Sequence, residues 1–109
     1  MLEVIDFIFN DQESDWQPDD PLDFDEVVTV TIGEDGTGSN YQIHLCTPSS
    51  IGGIADKRIT FMLQSWQGVD STIESINKFI SEKLEINIKD EQYHHLSKYW
   101  LWEYGAYNS

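Results

Sequence analysis

The sequence predicts an α+β fold: a four-stranded antiparallel sheet with two C-terminal helices packed on one face, a two-layer sandwich. Three observations lead there. Up to Trp66 the chain offers four segments with strand composition, after Gly68 the spacing of apolar residues becomes helical, and 109 residues suffice for one compact domain, 1–109, but not for two. Aromatic residues, four Trp and five Tyr among them, give the chain enough apolar surface to fold despite a net charge of -14.

Residues 2 to 9, LEVIDFIF, are β-branched and aromatic and short enough for a strand. From Asn10 to Asp23 the acids, Pro18 and Pro21 predict an irregular surface segment carrying a lone Trp16. In FDEVVTVTI, from Phe24 to Ile32, Val28, Val30 and Ile32 share one face and Val27, Thr29 and Thr31 the other, the alternation of a half-buried strand. Asp35-Gly36 and a further glycine in GEDGTGSN suit a hairpin reversal. The return strand is YQIHLC, with Tyr41, Ile43 and Leu45 inward and Gln42, His44 and Cys46 opposite.

Pro48 ends that strand because it has no N–H for the ladder, and PSSIGGIADK connects to a fourth strand, Ile59 to Trp66. Beyond Gly68, Ile73, Ile76, Phe79 or Ile80, and Leu84 form one helical stripe, and Ser71 and Glu74 have the spacing of a capping box. In the last segment Tyr93, Leu96, Trp100 and Tyr104 fit a second helix, although YWLWEY also alternates as a strand does. Asp90 is the expected N-cap, Glu91 suits the first turn, and Gly105 is the expected stop.

Charge is the most informative feature of composition. Met1 to Asp56 contains thirteen acids and neither Lys nor Arg, so that half carries -13; the remainder has seven acids and six bases, for -1. Such a field repels nucleic acid and anionic membranes, which bind through Lys and Arg, and it attracts a basic protein. MLEVIDFIFN has no basic stretch and meets acids at Glu3 and Asp6, which predicts no secretory signal and a cytoplasmic protein. The single cysteine, Cys46, reads as a small apolar strand residue.

Chemistry is not marked. His94 and His95 are adjacent and point about 100° apart on a helix, whereas helical metal ligands share a face three or four residues apart. The acids do not follow the spacing of a calcium loop, no serine or cysteine lies in a nucleophile motif, and GEDGTGSN lacks the Lys-Ser/Thr ending of a phosphate loop. The aromatic run Tyr93, Tyr99, Trp100, Trp102, Tyr104 and Tyr107 contains Lys98 as its one Lys or Arg, too little charge to hold nucleic acid, so core packing explains it better. No enzyme, metal or cofactor is expected; a small hydrolase using His44 or His94 as base is the weakest alternative.

Ile32-Gly33, the glycine-bearing turn, Cys46-Thr47-Pro48 and the late Trp102-Glu103-Tyr104 together resemble immunity protein family eight of bacterial polymorphic toxin and contact-dependent inhibition systems, over most of the chain from Phe24 onward. Two departures stand out: Ser49, Ser50 and Ile51 follow CTP where the family carries an aromatic–hydrophobic pair, and the terminal WEF-like motif reads WEY. The resemblance implies a non-catalytic antitoxin that binds and neutralises one cognate toxin domain. Many such toxins are nucleases, whose basic surfaces an acidic partner would reach at about 10⁷ to 10⁹ M⁻¹s⁻¹ by electrostatic steering.

The matched residues read as turn and core determinants, and the acidic stretch before Phe24 lies outside every family motif. Partner binding is therefore assigned by charge to Asp11, Glu13, Asp15, Asp19, Asp20, Asp23, Asp25, Glu26, Glu34 and Asp35, with Trp16 as an apolar anchor. The alternative is a nucleic-acid mimic that occupies a DNA- or RNA-binding protein through Asp19, Asp20, Asp23, Asp25 and Glu26.

Overall fold

A computed structural model describes residues 2–34, 37–54, 59–84 and 89–103, without the side chains of Lys89, Asp90 and His94. Its elements are β1 (Glu3–Phe9), β2 (Asp25–Glu34), β3 (Thr37–Cys46), β4 (Thr60–Met62), α1 (Val69–Lys83), α2 (Lys89–Leu96) and β5 (Leu101–Trp102). The class is the α+β one that the sequence predicts.

The β2–β3 hairpin is the frame. Its ladder runs from Asp25 opposite Cys46 to Glu34 opposite Thr37, which leaves a two-residue loop at positions 35 and 36. The alternation decides which face is buried: Val28, Val30, Ile32, Tyr41, Ile43 and Leu45 are fully enclosed. Gly33 is required near the tip, since a Cβ there would lie 1.9 Å from the Thr37 carbonyl oxygen. Asp35 and Gly36, expected in this turn, lie outside the described residues.

β1 joins the β2 edge antiparallel, from Glu3 opposite Gly33 to Phe9 opposite Val28, with an irregularity at Ile5 that lies between the paired Val4 and Asp6. On the far edge of β3 the expectation needs correction. β4 pairs with β3 in parallel, His44 beside Thr60 and Cys46 beside Met62, and not antiparallel. The reason is the connection: residues 47–59 exceed any tight hairpin and are long enough to carry the chain back for a parallel start. The strand also covers only Thr60–Met62 of the expected 59–66. Leu63 still donates its N–H to the Cys46 carbonyl, but Trp66 donates to the Pro21 carbonyl and turns its ring into the core.

The capping box is not formed either. α1 begins at Val69, two residues before Ser71, behind Gly68 at φ +100°, with no side-chain cap. An earlier start lets Val69 pack on the core and sinks Thr72, whose hydroxyl donates to the Gly68 carbonyl at 2.8 Å. Thr72, Ile76 and Ile80 form the buried stripe of α1, and Asn77 accepts the Val4 N–H at 2.7 Å, fastening helix to edge strand.

The second helix is shorter than expected. α2 starts at Lys89, so Asp90 falls inside the first turn and is not the N-cap, and it ends at Leu96; Gly105 lies outside the described residues. After a tight turn in which Tyr99 and Trp100 donate N–H groups to the Leu96 carbonyl, Leu101–Trp102 become β5 and pair antiparallel with Gln42 and Tyr41 of β3. The period-two reading wins here because β3 offers an unpaired edge, and the alternation puts Trp102 inside and Leu101 outside.

Candidate protein-binding surface

The acidic loop is tied down at several points. Asn10 donates its N–H to the Val27 carbonyl, Trp16 to Glu13, and Asp23 to Asp20. The Asp20 carboxylate accepts the Leu22 N–H at 2.9 Å, Gln12 donates to Glu26 at 2.9 Å, and Ser49 donates to the Asp23 carboxylate at 2.9 Å. Asp11, Glu13, Asp15, Asp19, Asp20, Asp23 and Asp25 are exposed, Glu26 and Glu34 half-buried, and Asp35 lies outside the described residues. The charges thus stand on a loop of defined shape, where less ordering entropy is lost on binding.

Trp16 is not the exposed anchor that the sequence suggested. It is half-buried, with its ring 5.3 Å from Phe9, 5.6 Å from Trp66 and 6.1 Å from Phe24. An apolar side chain in a polar loop recovers most by folding under that loop, and Trp16 fastens the segment to the sheet end.

Cys46 and Thr47 are structural, while Pro48 is exposed. Cys46 and Thr47 are fully buried, and burial, with Asp25 adding to it, pushes the Cys46 thiol up, away from the reactive thiolate. Thr47 donates its N–H to the Phe24 carbonyl and accepts the Phe24 N–H on its hydroxyl at 3.1 Å, while Ser50 donates to the same carbonyl at 2.6 Å. These bonds clamp the end of β3 to the start of β2. Ile32 and Trp102 are core residues, and Glu103 accepts the Asn40 N–H at 3.1 Å beside the β5 pairing.

Of the catalytic candidates, His44 faces away from the core and its Nε2 lies 2.8 Å from an Asp25 carboxylate oxygen; the side chain of His94 lies outside the described residues. Among the described residues no group of three or more His, Cys, Asp or Glu is arranged to hold a metal, and no helix is long and apolar enough to cross a membrane. Tyr93, Trp100 and Trp102 are buried and Tyr99 half-buried, while Tyr104 and Tyr107 lie outside the described residues. The Tyr41 phenol donates to the Tyr93 carbonyl at 2.8 Å; burial pushes its pKa up, with the Tyr93 and Glu103 charges adding to the shift.

That shift has a sign. The folded state holds the phenol neutral while the unfolded chain releases its proton near pH 10, so stability is full below pH 10 and falls as pH rises above it. Urea titrations at pH 8 to 11 are expected to show this loss, and Tyr41→Phe is expected to flatten it; an equal alkaline loss in the variant would assign the effect to other groups.

The feature that register reveals and sequence spacing hides is the second face of the sheet. Pairing places Ile8, Thr29, Gln42 and Leu101 in one row across β1, β2, β3 and β5. Beside them Thr31 donates to Asn40 at 2.6 Å, and Thr29 to Asn10 at 2.7 Å. Ile8 is 56% and Leu101 49% exposed, and Ile5 and Met62 are also open to water. The strands contain no Lys or Arg at all, whereas the described bases Lys78, Lys83 and Lys98 all belong to the helical part of the chain. The charge asymmetry along the sequence is therefore also an asymmetry between layers.

Scanned against protein-family models, curated proteins and solved structures, the chain shows no match. The immunity reading accordingly rests on the chain's own motifs and charge.

Proposed function

We propose that this protein is an immunity protein, a cytoplasmic antitoxin without catalytic activity that binds and neutralises a basic, nuclease-like toxin domain. The observation that carries the reading is the thirteen acids without a single Lys or Arg on residues 1–56, seven of which are exposed on and beside a loop that packing holds in shape. A nuclease must present cations to hold its substrate, and a preshaped acidic surface meets such cations without first having to order itself. The resemblance at Ile32-Gly33, Cys46-Thr47-Pro48 and Trp102-Glu103-Tyr104 supports the same class.

Stopped-flow binding to the toxin domain encoded beside this gene tests it. Raising salt from about 0.05 to 0.5 M is expected to slow association at least about tenfold and to leave dissociation nearly unchanged, because screening acts on the encounter. An association rate insensitive to salt would sink the steering mechanism, and no binding at all would sink the function.

A further inference from the structure

We propose that the face of the sheet that no described element covers, with Ile8, Thr29, Gln42 and Leu101 in one row, is the surface on which the basic partner docks, an inference that rests on the function proposed above. The row of four is adjacent by strand register and spans about 14 Å, the width of three inter-strand spacings. A sheet face left to water is ordinarily polar; this one exposes Ile8 and Leu101 at its two ends and Met62 beyond them, with hydroxyls and an amide between. Such a mixture suits the centre of a protein interface, where apolar side chains are desolvated and amides fix orientation. A recess of about 410 Å³ opens between Gln42, Leu101 and Glu103, large enough to take a side chain of the partner.

The chemistry of the occupant follows from the rim. Asp6 and Asp25 alternate onto this face, and Glu103 borders the recess. Among the described residues no Lys or Arg stands on a strand, so beside the Asp25–His44 pair the rim offers the carboxylates of Asp6 and Glu103 to a visitor. The fitting partner presents an apolar or aromatic side chain flanked by Lys or Arg. A second copy of this chain, at -14, is repelled, and so is a nucleic acid. With Trp16 half-buried against the core, the acidic loop guides the encounter and the sheet face supplies the apolar anchor.

The edge of β1 does not serve as an alternative by strand addition. Its Val4 N–H is taken by Asn77, the Phe7 N–H is 2.9 Å from the Asp6 carboxylate, and the irregularity at Ile5 breaks the edge between them.

The test compares three proteins that keep the loop charges: wild type, an Ile8→Ser/Leu101→Ser double variant, and Gln42→Arg, with Glu74→Gln/Lys78→Gln on α1 as control. The probe is the toxin domain encoded beside this gene, and circular dichroism and Tm confirm folding. Both the Ile8→Ser/Leu101→Ser and the Gln42→Arg variants are expected to speed dissociation at least about tenfold while the association rate stays within about threefold, with the α1 control unchanged. If a sheet variant fails to fold, methyl NMR of the wild-type complex replaces it, with shifts expected at Ile8, Thr29 and Leu101. Wild-type binding that the sheet variants retain, or methyl shifts confined to α1, would overturn the surface and leave the function standing. Absence of wild-type binding removes the function and the surface together.

Discussion

Replacing Trp100 with alanine is expected to cost about 3 to 5 kcal/mol, the range for removing a large buried aromatic side chain. Trp100 is 1% exposed and its ring lies 5.2 Å from Phe79, 6.2 Å from Phe61 and 6.3 Å from Tyr41, so one side chain joins α1, β4 and β3. It also sits where the chain leaves α2 and enters β5. Without it the reversal loses its buried pivot, and Leu101 no longer has a fixed place beside Gln42. Domains of this size hold only about 5 to 15 kcal/mol in total, so the variant should melt at least about 10 °C lower or fail to fold. Guanidinium titration and thermal melting measure it; a loss under about 1 kcal/mol would contradict the packing described for this aromatic cluster.

The parts of the fold legible in the sequence are those whose pattern is self-contained. The alternation of Val28, Val30 and Ile32 and of Tyr41, Ile43 and Leu45 marked the buried face of the hairpin, whereas Thr37–Asn40, expected in the turn, extend β3, and the stripe of α1 buries Thr72 with Ile76 and Ile80 where Ile73 was expected. Direction and length of β4 did not follow from the residues alone, because three residues hold no orientation signal; what permits the parallel start is the length of the connection between β3 and β4. β5 is shorter still, and Trp102 joins the sheet because the Tyr41–Gln42 edge is free to accept it, a choice made between segments sixty residues apart. The capping box failed because the helix gained more by packing Val69 than by using Ser71 as a cap.

The candidate site divides in the same way. Exposure of Asp11, Glu13, Asp15 and Asp19 was readable from local polarity. Burial of Trp16 was not, since one aromatic among acids has no periodic context and its partners Phe9, Phe24 and Trp66 come from three separate stretches of the chain. The row from Ile8 to Leu101 depends on register across four strands, and no spacing within one segment encodes it. What the sequence did carry was the absence of bases before Lys57; in the fold this becomes a sheet whose strands, among the described residues, hold no Lys or Arg.

Trp16→Ala separates the two roles that this loop is able to play. With its ring packed edge-on against Phe9, Phe24 and Trp66 but not fully enclosed, truncation is expected to cost about 2 to 3 kcal/mol, less than for a fully buried tryptophan. Trp16→Phe, which keeps a ring in place, should recover a good part of it. The charges of Asp11, Glu13, Asp15 and Asp19 remain in either variant, and long-range steering depends on their number and sign more than on their exact positions. Association with the toxin domain is therefore expected to keep its rate within about threefold and its salt dependence, while any loss of affinity arises from a loop that must be reordered on binding. The opposite pattern, unchanged stability with dissociation accelerated about tenfold or more, would make Trp16 a contact of the partner and move the apolar anchor from the sheet face to the loop.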